Sequence, residues 1–191
     1  MTSIKKVGIL GSGIMGSGLA EVVARAGLDV VVRSRTQAGA DAVLAKVGSG
    51  LARQVAKERM TEEEREAILG RVSVTDHLGQ LADCDLVIES VVEDLEVKRA
   101  LFAELEQIVK PEGILATNTS TLPVVELAMM TQRPSQVCGI HFFNPAPAMS
   151  LVEIIRPLTA SDETITAAAS FVEACGKNAV HVEDRAGFIV N

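Results

Sequence analysis

The stretch from Lys5 to Gly27, KKVGILGSGIMGSGLAEVVARAG, constrains this chain more than any other. Val7 to Leu10 form a short apolar run, and Leu19, Val22, Val23 and Ala26 recur at helical spacing before Gly27, a residue suited to a helix C-cap. Between the two runs stands Gly-x-Gly-x-x-Gly, at Gly11, Gly13 and Gly16. The pattern predicts a buried strand, a tight turn and an amphipathic helix, with a task for each glycine. Gly11 permits a turn that a Cβ would obstruct, Gly13 lets a pyrophosphate approach the backbone, and Gly16 lets helix and strand pack closely. The helix N-terminus aims its N–H groups and the positive end of its dipole at that anion. Gly11, Ser12, Gly13, Ile14, Met15 and Gly16 are therefore candidate cofactor-binding residues for a dinucleotide. The alternative is a purely structural glycine turn, and the flanking strand and helix argue against it.

A chain of 191 residues fits one domain with a short extension and can bury a sizeable core. Its net charge of −7 is spread along the sequence, which speaks against nucleic acid or an anionic membrane as partner. The first strand begins within a few residues of Met1, so no signal peptide is expected, and no apolar run approaches a membrane span. Cys84, Cys138 and Cys175 form neither an even disulfide framework nor a metal-ligand spacing. Reduced cysteines in a cytoplasmic protein without a metal site are the expectation.

Beyond the first unit the chain alternates strand and helix. Strands are expected at Leu28 to Arg33, Val72 to Thr75, Asp85 to Ser90, Ile114 to Thr117, Val137 to Phe142, Leu151 to Arg156 and Asn178 to Val182. Helical sequence runs from Thr36 to about Lys57, from Thr61 with a Thr61/Glu64 capping-box pattern to Leu69, from Asp94 to Lys110, from Leu122 to Met130, and from Asp162 to Cys175. A helical turn is expected from Asp76. This order predicts a Rossmann-like, doubly wound α/β fold: a mostly parallel sheet of about eight strands, helices on both faces, and a helical arm after the second strand.

The end of the second strand bears on which dinucleotide fits. An acidic residue there would bond the ribose hydroxyls of NAD, and Arg33, Ser34, Arg35 and Thr36 stand in its place. A serine hydroxyl and an arginine fork can hold a 2′-phosphate that a carboxylate would repel, so Ser34 and Arg35 favour NADP(H) over NAD(H). If they are instead solvated loop residues, NAD binds through the pyrophosphate turn alone.

Polar residues collect where a doubly wound sheet opens its crevice: Glu93 and Lys98 after the fourth strand, Asn118, Thr119 and Ser120 after the fifth, His141 and Asn144 at the sixth. A histidine so placed can act as acid or base near neutral pH, or can be a core histidine bonded to a carbonyl. Glu153 interrupts the apolar run LVEII, where a carboxylate is costly unless it is paired or exposed at an edge. A neighbouring strand could bring it to His141.

GSGIMGSG, DLVIESVVED, TNTSTL, GIHFFNPAPAMSLVEII and GFIVN, in this order and spacing, resemble the nucleotide-binding domain of the 3-hydroxyacyl-CoA dehydrogenases, most of all the bacterial 3-hydroxybutyryl-CoA branch. The resemblance implies an oxidoreductase that interconverts 3-hydroxyacyl-CoA and 3-oxoacyl-CoA. Its catalytic dyad falls on His141 and Glu153, and the serine that touches substrate and cofactor on Ser120. The asparagine facing the acyl group falls on Asn191, and Glu93, Lys98 and Asn144 match residues that contact or frame the nicotinamide half. Two departures stand out. The aspartate that usually ends the second strand is Ser34, and a coenzyme A-binding serine on the arm is replaced by Gly50, with Lys57 the candidate for its lysine partner.

The resemblance further implies a dinucleotide-binding domain over residues 1–184. Residues 185–191 would begin a hinge to a helical domain that supplies a homodimer contact. Two other readings share the fold: a dinucleotide-binding module without catalysis, and a dehydrogenase of free 3-hydroxy acids. The first has no need of the His141, Glu153, Ser120 and Asn191 set, and the second would more naturally carry a catalytic lysine than HFFNP.

Overall fold

The computed structural model describes residues 4–185 and 187–188. Strand β1 (Lys6–Leu10) leads through the glycine turn into helix α1 (Ile14–Arg25), and β2 (Asp29–Arg33) follows. An arm of two helices, α2 (Gln37–Val55) and α3 (Glu62–Leu69), precedes β3 (Val72–Thr75). A 3₁₀ turn at Leu78–Leu81, β4 (Leu86–Glu89), α4 (Leu95–Ile108), β5 (Ile114–Thr117), α5 (Val124–Ala128) and β6 (Val137–Phe142) continue the winding. Strand β7 (Leu151–Arg156), α6 (Asp162–Ala174) and β8 (Asn178–Glu183) complete it.

Among the described residues the eight strands form one sheet in the order β3-β2-β1-β4-β5-β6-β7-β8. Pairing is parallel except between β6 and β7, so the expected mostly parallel, doubly wound sheet is present. The order turns back between β1 and β4, which opens the crevice of such sheets at the carboxyl ends of these two strands.

Successive side chains of a strand point to opposite faces, and the core divides accordingly. Val7 and Ile9 of β1, Leu86 and Ile88 of β4 and Ile140 of β6 pack with α1, α2 and α6. Leu10, Val87, Leu115 and Val137 pack on the other face with Phe102 and Leu105 of α4 and Val124 and Leu127 of α5. The same alternation turns Glu89, Thr117, His141 and Glu153 toward the α4 and α5 face, the first three at or next to strand ends and Glu153 within β7.

Several ends differ from the expectation for local reasons. Helix α2 stops at Val55 rather than Lys57, and Glu58 then turns the chain with φ of 54°. The crossover expected from Leu122 to Met130 shortens to Val124–Ala128, with Pro123 at its N-cap. The helical turn expected from Asp76 is present as a 3₁₀ turn at Leu78–Leu81. The expected capping box is present: Thr61 Oγ1 accepts the Glu64 N–H at 3.1 Å, and Glu64 Oε2 accepts the Thr61 N–H at 2.8 Å.

All three cysteines are free. Burial pushes the thiols of Cys84, Cys138 and Cys175 up to about 12, so they stay protonated and inert as nucleophiles. Among the described residues no helix is long and apolar enough to cross a membrane, and no cluster of three His, Cys, Asp or Glu could hold a metal.

Candidate active site

The glycine turn has the form its sequence requires. Gly11 has φ of 121°, and a Cβ built there would lie 2.2 Å from the Ser90 carbonyl oxygen. A Cβ on Gly16 would lie 1.9 Å from the Gly11 carbonyl oxygen, whereas one on Gly13 meets nothing within 4 Å. The third glycine is therefore a packing requirement, and the second leaves an open approach to the backbone. Helix α1 has no acidic residue in its first turn and no side-chain cap at Gly13, so the positive end of its dipole faces outward unneutralised. Small volume, backbone donors and positive potential suit a pyrophosphate. Ile14, 65% exposed, stands at the mouth of this turn.

At the end of β2, Ser34 is buried and its hydroxyl donates to Ser12 Oγ at 2.9 Å, which ties this corner to the glycine turn. Arg35 is exposed beside it. Thr36 caps α2 by accepting the Gly39 N–H at 3.1 Å. The β2 end itself, Arg33 to Thr36, carries no carboxylate.

On the antiparallel pair β6 and β7, His141 is the direct partner of Glu153 in the strand register. Their side chains meet, Nδ1 to Oε2 at 2.8 Å, with His141 only 4% and Glu153 only 1% exposed. The edge-strand alternative for Glu153 does not hold, because β8 pairs on the outer side of β7. A carboxylate facing Nδ1 accepts its proton and leaves Nε2 as the nitrogen that can exchange a proton with a ligand. Aromatic rings wall the imidazole, Phe143 at 4.4 Å and Phe188 at 5.9 Å between centroids.

The loops after β4 and β5 are joined by a polar network. Lys98 bonds Glu89 at 2.7 and 2.9 Å and lies 3.1 Å from Glu93. Glu93 accepts the Thr119 hydroxyl and the Ser120 N–H, the latter at 2.9 Å. Burial alone would raise the Glu93 carboxyl, but the bonds from Thr119, Lys98 and Ser120 outweigh it and hold the group below the usual carboxylate range. Asn118 joins the next strand, its Oδ1 accepting the Phe142 N–H at 2.8 Å.

The residues picked out in the sequence thus fall into three groups at one end of the sheet: Ser12 with Ser34, Glu93 and Lys98 with Ser120, and His141 with Glu153. Asn144 is exposed in the loop after β6, and Lys57 is exposed just past α2. Asn191 lies outside the described residues. Lys98 is 1% exposed, so Glu93, at 39%, is the member of its pair that meets solvent. Glu89 and Thr117 complete the network and escaped the sequence reading. The one available signal was a carboxylate closing the apolar run DLVIE, nine residues before Lys98.

The family described as 3-hydroxyacyl-CoA dehydrogenase, NAD binding domain, matches residues 6–185. The chain belongs to this family. The 3-hydroxybutyryl-CoA dehydrogenase of Bradyrhizobium diazoefficiens is 46% identical over 188 residues, which cover 98% of this chain and 64% of that relative. The fatty acid oxidation complex subunit alpha of Idiomarina loihiensis is 38% identical over 98% of this chain and 26% of its own length. Among solved structures, the (S)-3-hydroxybutyryl-CoA dehydrogenase of Ralstonia eutropha superposes with a TM-score of 0.97 at 38% identity, over 99% of this chain and 67% of that one. The matched segment is the NAD-binding domain of 3-hydroxyacyl-CoA dehydrogenases, and the open glycine cradle at α1 fits that cofactor class.

Proposed function

We propose that this chain is the cofactor-binding part of an oxidoreductase that interconverts 3-hydroxyacyl-CoA, foremost 3-hydroxybutyryl-CoA, and the matching 3-oxoacyl-CoA. The observation that carries this reading is the buried His141–Glu153 pair at 2.8 Å, in a chain whose relatives bear that name. In the oxidative direction Nε2 of His141 takes the proton of the 3-hydroxyl, so that charge does not build up on an unassisted alkoxide. A bound nicotinamide supplies the hydride acceptor for C3. Glu153 orients the ring through Nδ1 and balances the imidazolium that forms. Ser120 and Asn191 hold the 3-oxygen and the thioester side in line, where a misplacement of about 1 Å can cost on the order of a hundredfold. In reduction the protonated His141 returns its proton to the ketone.

On the cofactor side Glu93, Asn118, Asn144 and Ser120 frame the nicotinamide half, with Lys98 acting through Glu93. Ser34 and Arg35 favour NADP(H), supported by the lack of a carboxylate from Arg33 to Thr36 and by the exposed Arg35. Ser34→Asp is expected to shift the ratio of NADH to NADPH affinities toward NADH by about tenfold or more, the factor that corresponds to about 1.4 kcal/mol. Equal ratios in the variant and the parent would remove the phosphate-site reading.

Lys57 is the proposed contact for coenzyme A. The family match over residues 6–185 supports 1–184 as the dinucleotide-binding unit; the further reading is that 185–191 begin a hinge to a helical domain through which a homodimer forms. Three free cysteines with no disulfide framework support a reducing, cytoplasmic setting.

The test is twofold: calorimetric titration of the chain with NADH and with NADPH, and reduction of acetoacetyl-CoA compared with acetoacetate. Dinucleotide binding with turnover of the thioester alone is the expected result. Binding without turnover by the full-length protein would leave a non-catalytic module, and turnover of acetoacetate would point to free 3-hydroxy acids.

A further inference from the structure

The Glu89, Lys98 and Glu93 side chains place two carboxylates around one ammonium at the carboxyl edge of β4, next to the Ser120 loop. Glu89 is fully buried, and among the described residues its carboxylate accepts hydrogen bonds from Lys98 Nζ at 2.7 and 2.9 Å, the Val91 N–H at 2.7 Å and the Thr117 hydroxyl at 2.7 Å. Lys98 in turn lies 3.1 Å from Glu93, whose carboxylate holds the Ser120 N–H at 2.9 Å. Position therefore passes from a residue that no ligand can touch, through a buried ammonium, to a half-open carboxylate and the serine beside it. A single Lys98–Glu93 pair would already balance its charges. The second carboxylate adds a desolvation cost that apolar packing would avoid.

We propose that Glu89 is a positioning residue for the nicotinamide end of the cofactor: it fixes Lys98 beneath Glu93 and leaves the cluster one negative charge in excess, which favours the oxidised, cationic ring over the reduced, neutral one. This inference rests on the hydride-transfer reading above, which puts the ring within reach of Ser120 and His141. Its reach goes further, to a residue outside contact distance and to the balance between the two cofactor forms.

The test is calorimetric titration of the 191-residue chain with NAD⁺ and with NADH at one salt concentration, for the parent, Glu89→Gln and Glu89→Asp. One unit charge at about 10 Å in half-solvated surroundings corresponds to about a three- to tenfold change in affinity. Glu89→Gln is expected to weaken NAD⁺ relative to NADH by that factor. Glu89→Asp keeps the charge but is too short to reach Lys98 and Thr117 together, so it is expected to weaken both forms equally. A merely structural role would leave the ratio unmoved in a folded Glu89→Gln protein, and that result overturns the proposal. Parent-like binding of both forms by Glu89→Asp also overturns it, and this variant decides the matter if Glu89→Gln does not fold. Failure of the parent chain to bind NAD(H) and, in a parallel titration, NADP(H) would remove the cofactor reading and this inference together. Parent binding with an unmoved ratio removes the Glu89 role alone.

Discussion

His141→Ala is expected to lower turnover of acetoacetyl-CoA by about a hundred- to ten-thousandfold, the range a positioned acid or base contributes, while NADH affinity changes little. The separation follows from the architecture. His141 and Glu153 sit on the antiparallel pair β6 and β7, whereas the glycine turn that receives the pyrophosphate sits between β1 and α1. Steady-state reduction by the enzyme, followed through loss of NADH absorbance, gives the rate, and calorimetry on the same variant gives the affinity. Glu153→Gln keeps the shape of the pair and removes the charge that stabilises the imidazolium, so it should also reduce turnover chiefly through kcat. Near-normal rates in His141→Ala would remove this residue as the proton donor and acceptor. The dyad is almost closed to solvent, so a large structural collapse has to be checked separately, by comparing the circular dichroism of variant and parent.

Gly16→Ala is the second change with a large expected effect. Its Cβ would fall 1.9 Å from the Gly11 carbonyl oxygen, a contact to backbone that no side-chain movement can relieve. Either α1 moves off β1 or the turn opens. Overpacking of this kind costs about 1–3 kcal/mol and occasionally more. If the turn bears that cost, dinucleotide affinity falls by about five- to 150-fold. Gly13→Ala makes the contrasting case, since nothing lies within 4 Å of its Cβ in the protein. Its fold and thermal stability should match the parent, and only binding should suffer, because the added methyl occupies the approach of the pyrophosphate. Equal stability and equal NADH affinity in all three proteins would mean that the cofactor does not use this turn.

Much of this architecture was legible because it depends on neighbours in sequence. The glycine turn, the Thr61/Glu64 capping box and the apolar strands at Val72–Thr75, Ile114–Thr117, Val137–Phe142 and Leu151–Arg156 each follow from spacing over a few residues, and each is present as expected. Helix ends were less legible. The end of α2 depends on a residue with positive φ, Glu58, and α5 begins only after Pro123, which stands at its N-cap.

The chain order alone also determined that His141 and Glu153 were residues of interest, one at a strand end and the other breaking an apolar run. It could not determine whether they meet. That was decided by the antiparallel return of β7 and its register with β6, a pairing across the sheet in which a slip of one residue would turn Glu153 to the opposite face. Glu89 belongs wholly to the tertiary structure. In sequence it is the last residue of an apolar strand. In the fold it is fully buried among donors from β5, α4 and the loop after β4, and the low dielectric of a buried site strengthens each of those bonds.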